Sequence, residues 1–276
     1  MIISENTVWS ASELHEYGGT VQVAPDVTLT IEAGTTVQNT KLQVFGDLIV
    51  EGNSTNKVLF KNVELLFGSE SDTPGHFDLQ YVDWDQGSFL APTGYGSYGS
   101  FQVNNNHFTE VEGFYIWYPQ NDSKISNSTF VNSQGLSVGV RGSFTIENNN
   151  FIASERPVNG SQDLAIVNWA AYGSDMLVTG NNFYGPQPAM ELPKNYGSAG
   201  IKATGNYYSE NTQDGVNAKI LDQNDDLSRN AIIVDNEFLL SPNNNAPDYE
   251  NDDLIQGSSN AETNNPNMTA AGIDAL

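Results

Sequence analysis

One short pattern recurs six times between residues 103 and 238. Each copy has an aliphatic residue, two variable residues, an Asn (once Ser), one variable residue and an aromatic residue. The copies occupy residues 103–108, 125–130, 146–151, 178–183, 203–208 and 233–238. Their aromatic residues are separated by steps of 22, 21, 32, 25 and 30 residues. A period of roughly 20–50 residues with variable insertions is typical of stacked repeats, in which each unit buries its apolar face against its neighbours.

The first sixty residues alternate between apolar and polar side chains, and Gly, Pro, Asp and Asn divide the alternation into short runs. Val27, Leu29 and Ile31 form one such run. A period of two predicts β-strands, and tight hairpin signals are scarce. We therefore predict an all-β chain whose strands follow one another around a coil, as a single-stranded parallel β-helix (solenoid) of roughly nine or ten coils.

Residues 27–37, 42–52 and 57–62 resemble the opening coils of bacterial right-handed parallel β-helix proteins. These proteins belong to the pectin-lyase-like superfamily, which includes adhesin-like surface proteins and NosD-like repeat proteins. The resemblance covers residues 20–240 and implies a right-handed β-helix. It does not select an activity, because the superfamily contains lyases, hydrolases, epimerases, phage tailspikes and non-catalytic adhesins.

The chain divides into two regions by composition. Residues 1–240 are predicted to form the β-helix with an N-terminal cap. Residues 241–276 are rich in Asn, Asp, Ser and Pro, and we predict an acidic capping segment and tail there. The first residues lack a basic stretch followed by an apolar one, so no N-terminal signal peptide is predicted.

The charge balance narrows the choice of partners. Thirty-four acidic against ten basic residues give a net charge of −24. This excess disfavours nucleic acid and anionic membranes, which both require basic surfaces. It is typical of a protein in salty or calcium-rich surroundings, where counter-ions screen self-repulsion. The absence of Cys excludes disulfides and thiolate chemistry.

Two positions of the repeat are interpreted as scaffold. We predict that the fourth residues form an internal ladder at a corner of the coil, because Asn tolerates left-handed backbone and its amide can bond to the next coil. We predict that the terminal aromatic residues form a buried stack. The ladder positions are Asn106, Ser128, Asn149, Asn181, Asn206 and Asn236.

A second strand can be aligned across residues 113–118, 135–140, 163–168 and 215–220. Alternation would place every second side chain of this strand on the outer face, together with the outward side chains just after the strand. Aromatic rings could stack on sugars there while polar groups donate hydrogen bonds, unless a loop (residues 154–162 or 184–198) covers them. The candidate ligand-binding residues are Tyr115, Trp117, Arg141, Trp169, Asn217 and Lys219.

Catalytic candidates are few. The outer face just described has no Asp or Glu, although Arg141 and Lys219 could each act as a base. The best acid pair is Asp83 and Asp85, which a strand would project to the same side, although a solvated strand edge is the more common reason for such a pair. The three histidines are isolated in the sequence, and His107 is expected at the surface.

Two acidic runs suggest weak calcium sites. Asp222, Asn224 and Asp226 match the opening of a calcium loop, but Leu227 and Ile233 replace the required Gly and Glu, which excludes an EF-hand. Asp248, Glu250 and Asp252 form the second run. An irregular Ca²⁺ site is left open at either.

The leading hypothesis is a non-catalytic extracellular or cell-surface module of an adhesin-like protein that engages polysaccharide, present as a monomer or as part of a larger chain. The alternatives are a polysaccharide lyase or hydrolase that uses Asp83, Asp85, Arg141 and Lys219, and a calcium-stabilised spacer.

Overall fold

The computed structural model describes residues 1–67, 75–90, 101–117, 123–139, 143–152, 166–168, 175–185, 188–195, 200–229, 233–235 and 237–248. Within these ranges, only the backbone is described for residues 67, 90, 115, 117, 166–168, 175, 234 and 235. The strands up to residue 117 are β1 (Ile2–Ile3), β2 (Thr7–Trp9), β3 (Leu14–Glu16), β4 (Thr20–Val23), β5 (Thr28–Glu32), β6 (Thr36–Val44), β7 (Asp47–Glu51), β8 (Val58–Phe67), β9 (Phe77–Gln80), β10 (Val82–Leu90), β11 (Phe101–Asn104), β12 (His107–Glu112) and β13 (Tyr115–Trp117).

The remaining elements are β14 (Ser123–Ser126), β15 (Thr129–Val131), β16 (Leu136–Gly139), β17 (Ser143–Glu147), β18 (Asn150–Ile152), β19 (Ile166–Asn168), β20 (Asp175–Thr179), β21 (Asn182–Tyr184), β22 (Met190–Glu191), β23 (Gly200–Thr204), helix α1 (Gln213–Ala218), β24 (Ile220–Leu221) and β25 (Ile233–Asp235).

These strands form three parallel sheets that run along one column. The first sheet follows the order β1-β4-β6-β8-β10-β12-β15-β18-β21, and β3 pairs with β6 beside this path. The second sheet is β2-β5-β7-β9-β11-β14-β17-β20-β23-β25, and the third is β13-β16-β19-β22-β24. Each strand pairs with its equivalent one turn later rather than with its neighbour in sequence. The chain is therefore an all-β parallel solenoid, as predicted.

The number of repeated turns is about six, and the prediction of nine or ten coils is wrong. In the second sheet, the strands from β11 onward are those that carry the six-residue motif. The four earlier strands β2, β5, β7 and β9 continue the same sheet without the motif's Asn. Apolar residues alternate in both parts. The alternation therefore predicts the number of strands in the sheet, but it does not show which of those strands belong to regular repeats.

The interior is filled as the alternation predicts. Leu29, Ile31, Leu48 and Val50 are fully buried, while the residues between them face outward. The motif aromatics form a continuous stack: ring centroids lie 4.7 Å apart for Phe108 and Phe130, and 4.9 Å apart for Phe130 and Phe151. The stack continues through Phe183 to Tyr208, with spacings of 5.2 and 5.4 Å. These spacings follow the separation of about 4.8 Å between adjacent strands.

The predicted ladder of the fourth motif positions is also present. Asn106, Ser128, Asn149, Asn181 and Asn206 are buried. The backbone N–H of each of the first four donates to the side-chain oxygen of the next, over 2.9 to 3.1 Å. Asn236 lies outside the described residues.

The left-handed backbone sits one residue before the ladder, which corrects the predicted position. Positive φ angles occur at Asn105 (57°), Asn127 (49°), Asn148 (53°), Gly180 (64°) and Gly205 (65°). The ladder residue is therefore selected for a side-chain oxygen that accepts a backbone N–H from the previous turn. The residue before it is selected for tolerance of φ > 0, which explains why Asn or Gly occupies it in these five copies.

A second bend, absent from the predictions, interrupts the long strands β6, β8 and β10. Positive φ angles occur within or directly after successive strands of the first sheet, at Asn39, Asn62, Gln86, Glu110 and Asn132. Side-chain bonds link part of this row: Asn62 Nδ2 donates to Asn39 Oδ1 over 3.0 Å, and Asn39 Nδ2 donates to Glu16 over 2.7 Å. Each long strand therefore supplies two sides of the column.

Residues 215–220 do not form the predicted fourth strand. Helix α1 occupies Gln213–Ala218, and the third sheet resumes only at β24. Thr212 caps the helix, because its hydroxyl accepts the N–H of Gly215 over 3.1 Å, and Asp214 lies in the first turn. The strand prediction depended on two apolar residues, Val216 and Ala218, and only Val216 is buried. The helix cap therefore decides the local structure of this segment.

The segment 243–247 folds back along the side of the column. The side chain of Asn182 makes two hydrogen bonds to the backbone of Asn243. Its Oδ1 accepts the N–H of Asn243 over 2.7 Å, and its Nδ2 donates to the carbonyl oxygen of Asn243 over 3.2 Å. Asn243 Nδ2 donates to Asn148 Oδ1 and to the Gly180 carbonyl. Asn150 Nδ2 donates to the Pro247 carbonyl over 2.7 Å. We call residues 243–247 the strap.

Candidate functional site

The structure places Tyr115 and Trp117 on β13, the first strand of the third sheet. Tyr115 pairs in register with Ser137, and Trp117 pairs with Gly139. Ile116, between them, is buried in the core, as the alternation predicts. Ser137 is half-buried and Gly139 is buried. The side chains of Tyr115 and Trp117, and all of Arg141 and Trp169, lie outside the described residues.

Asn217 and Lys219 do not join that face. Asn217 is an exposed residue of α1, and its Oδ1 accepts Gln213 Nε2 over 2.9 Å, one helical turn away. Lys219 directly follows α1 and is only 7 % exposed. The prediction that both project outward from a strand is wrong because that strand is replaced by the helix.

The Lys219 amine is held inside the fold. Its Nζ donates to the carbonyl oxygen of Gly185 over 2.6 Å. Burial lowers the pKa of Lys219, and the nearby carboxylate of Glu210 partly opposes this effect. This hydrogen bond to a backbone carbonyl links two successive turns of the column, so Lys219 has a structural role.

Asp83 and Asp85 flank the buried Trp84 on β10, as the alternation predicts. Asp83 Oδ1 lies 3.0 Å from Lys57 Nζ, and this ion pair is largely shielded from solvent. Asp85 is exposed. Five turns separate β10 from Lys219, which corresponds to about 24 Å at roughly 4.8 Å per strand. The structure therefore does not bring the two carboxylates together with the predicted base Lys219.

The acidic run at Asp222 is a compact turn that uses its own oxygens. Asp222 is buried, and its two carboxylate oxygens accept the N–H groups of Asn224 and Ile233 over 2.8 and 3.0 Å. Asp226 accepts the N–H and the hydroxyl of Ser228. Hydrogen bonds from Lys194 and Ser228 hold the pKa of Asp226 well below its usual range.

The carboxylates of Asp222 and Asp226, which a cation would use as ligands, already accept hydrogen bonds from within the protein. In the described part of the chain, no group of three or more His, Cys, Asp or Glu residues is arranged to hold a metal ion. Asn224 is exposed, and so is Asp248 from the second run. Glu250 and Asp252 lie outside the described residues.

Two histidines occupy positions that the sequence did not predict. His107 is only 3 % exposed, so its expected surface placement is wrong. His15 is buried as well, and its ring stacks on Trp9 with a centroid distance of 4.6 Å. His15 is an inward position of β3, in register with the fully buried Val37, whereas His107 is an outward position of β12, in register with Asp83. The alternation describes only which residues leave the core. It gives no information on what covers them outside.

A second apolar cluster lies apart from the main core and was also missed. It consists of Val131, Ile152, Tyr184 and Tyr207, with Leu239 packed against it. The signal was present in the repeat, because an apolar residue follows the motif aromatic at Val131, Ile152 and Tyr184. The first sheet is therefore buried on both faces along these turns.

Comparison with family models, curated proteins and solved structures finds no match to this chain. The class of protein is consequently defined by the coordinates alone: a parallel β-solenoid. In the described residues, no helix has the length and apolar character needed to cross a membrane.

Proposed function

We propose that this chain is a non-catalytic module of an extracellular or cell-surface protein, and that it binds polysaccharide along the third sheet. The resemblance of its first coils to adhesin-like members of the pectin-lyase-like superfamily supports the extracellular setting. The proposal rests chiefly on the positions of Tyr115 and Trp117. They share one short strand, their register partners are the small residues Ser137 and Gly139, and the intervening Ile116 points into the core.

Two aromatic positions on one strand suit an extended sugar chain. Residues i and i+2 of a strand lie about 7 Å apart, and alternation assigns them to the same face. Aromatic rings present apolar faces to sugar C–H groups, and small neighbouring residues leave room for the ring of the ligand. In the sequence, Arg141 lies two residues beyond the end of β16, and we propose that it supplies hydrogen-bond donors at the end of this face.

A neutral polysaccharide fits better than an acidic one. The chain carries a net charge of −24, which repels a polyuronate at low ionic strength. Two of the donors predicted for this face, Asn217 and Lys219, belong instead to a helix and to the buried interior. This leaves Arg141 as the cationic candidate beside the two aromatic positions.

The test is binding by the Trp117→Ala variant. On neutral and uronate-containing polysaccharides, measured by affinity gel electrophoresis and on a glycan array, we expect about tenfold weaker binding than that of the unmodified chain. Lys202→Ala is the matched control, because Lys202 is an exposed residue of β23 in the second sheet. Equal binding by Trp117→Ala and the unmodified chain would refute the proposal.

The same samples distinguish the two alternatives. Turnover of a uronate-containing polysaccharide would indicate a lyase or hydrolase. A melting temperature that rises with millimolar Ca²⁺, without glycan binding, would indicate a calcium-stabilised spacer. The internal hydrogen bonds of Asp222 and Asp226 make the second result the less expected one.

A further inference from the structure

The exposed apolar side chains of the described residues are confined to the two ends of the column. Those at the beginning of the chain are Met1, Ile2, Val8, Leu14 and Tyr17, and those after α1 are Leu227 and Leu240. Leu227 is 85 % exposed and Leu240 is 71 % exposed. Exposed apolar groups that cluster in one region mark an interaction surface more often than scattered ones do.

The N-terminal end of the column consists of open strand edges. In the described chain, β1 pairs only with β4, β2 only with β5, and β3 only with β6. Each of these edges carries one exposed aliphatic residue: Ile2 on β1, Val8 on β2 and Leu14 on β3. Unpaired edges with apolar side chains favour pairing with another strand.

The C-terminal end has the complementary edges. Within the described ranges, β24 pairs only with β22 and β25 only with β23. On the remaining side, Leu239 forms an isolated parallel bridge with Tyr207, and the exposed Leu240 follows it. Capping repeats with polar outer faces keep solenoids monomeric. Within the described ranges, which end at residue 248, neither end of the column carries such a cap, and residues 249–276 of the predicted capping segment lie outside these ranges.

We propose that copies of this chain associate head to tail, with the β1, β2 and β3 edges of one copy adding to the β24, β25 and Leu239 edges of the next. Every pairing between the named strands is parallel, and each later turn adds on the same side of the turn before it. The C-terminal end of a second copy therefore presents strands of the right direction on all three sides at once.

The distribution of the apolar residues favours this end-to-end contact over a lateral one. Ile2, Val8 and Leu14 lie on three different sides of the column, because β3 and β4 pair with opposite halves of the bent strand β6. A lateral contact would cover one of them, whereas an added turn would cover all three. Such a contact joins different surfaces of the two copies and therefore continues beyond a dimer.

The net charge opposes this association, so salt should strengthen it. Each copy carries a net charge of −24. The screening length falls from about 10 Å at 0.1 M salt to about 3 Å at 1 M. We expect the mean mass of the 276-residue chain, from light scattering after size exclusion, to rise with protein concentration and with salt over this range.

Two blocking variants test the geometry. Val8→Glu places a charge on the N-terminal edge, and Leu240→Glu places one at the C-terminal end. We expect each variant alone to remain monomeric, and an equal mixture of the two to form dimers, because each retains the end that the other has lost. Thr145→Glu is the control: it lies on the same outward row as Val8, in the middle of the column, and makes the same change in charge.

The substitutions are at exposed or half-exposed positions, and circular dichroism verifies that the variants fold; Ile2→Glu repeats the test on a second edge. A chain that stays monomeric at every concentration and salt level overturns the proposal. So does a Leu240→Glu variant that still dimerises by itself, because that result would indicate contact between two N-terminal ends. A Thr145→Glu variant that fails to associate would also overturn it.

Discussion

Asn149 forms two hydrogen bonds with one oxygen atom of Asn181, which lies one turn further along the column. Its backbone N–H and its Nδ2 both donate to Asn181 Oδ1, each over 3.0 Å. Asn181 repeats the arrangement with Asn206, over 2.9 and 3.1 Å. All three residues are fully buried. The ladder therefore satisfies backbone groups at a corner where no strand can do so, and it keeps successive turns in register.

Replacing Asn181 by Ala should be among the most destabilising single changes. It leaves two donors of Asn149 and the carbonyl of Ile146 without their buried partner. We expect a loss of about 3 kcal/mol in the free energy of unfolding by urea. Asn224→Ala, at an exposed Asn, should change it by less than about 0.5 kcal/mol. Equal stability of the two variants would show that water replaces the ladder without cost.

Asn105 should tolerate Gly and reject Val. Its φ is 57°, and Gly180 and Gly205 occupy the equivalent position in later copies of the motif. Asn105→Gly is expected to have a free energy of unfolding within about 0.5 kcal/mol of the unmodified chain, whereas Asn105→Val should lose about 2 kcal/mol, because a β-branched residue is strained at positive φ. If Val proved harmless there, the left-handed corner would not constrain the sequence.

Lys219 should make stability rise with pH in the alkaline range. Burial lowers its folded-state pKa below the ordinary value of 10.5, so the unfolded chain binds more protons between the two pKa values. The cost of burying the charged amine is present in full below the folded pKa and disappears as pH approaches 10.5.

The measurement compares the unmodified chain with Lys219→Met, in which the neutral side chain cannot titrate. The difference in free energy of unfolding, unmodified minus variant, should increase from neutral pH to about pH 10. Titration of the other groups cancels in this difference. A difference that does not change with pH would show that the Lys219 amine is as well solvated as in the unfolded chain.

The strap should be held by Asn243 and should loosen without its side chain. Asn243 Nδ2 donates to Asn148 Oδ1 over 2.9 Å and to the Gly180 carbonyl over 2.6 Å. In Asn243→Ala, we expect the amide of residue 243 to exchange with deuterium about tenfold faster, since local opening costs less. Asn245→Ala is the matched control, because Asn245 is exposed and, among the described residues, it hydrogen-bonds through its backbone N–H alone. Equal exchange in both variants would show that the backbone bonds of Asn182 suffice.

Much of this fold could be predicted because the period of the sequence is the period of the structure. The spacing of the motif aromatics located the stack, and the fourth motif position located the ladder, since both depend on what one turn places above the next. The candidate site was predicted less well. Lys219 was assigned to a strand, whereas the Thr212 cap and the residues after it form a helix. Helix capping depends on residues that are close in sequence. Whether the segment forms a capped helix or a further strand of the sheet depends on tertiary packing.

The sequence by itself determined the class of the fold, the buried stack and the corner ladder, because these follow from alternation and repetition along one chain. The tertiary structure decided what lies outside the column. It buried His107, paired Asp83 with Lys57, and laid the strap over Asn150 and Asn182, from which it is separated by up to 97 residues. Contacts of this kind have no period, because they join segments whose separation in sequence is arbitrary.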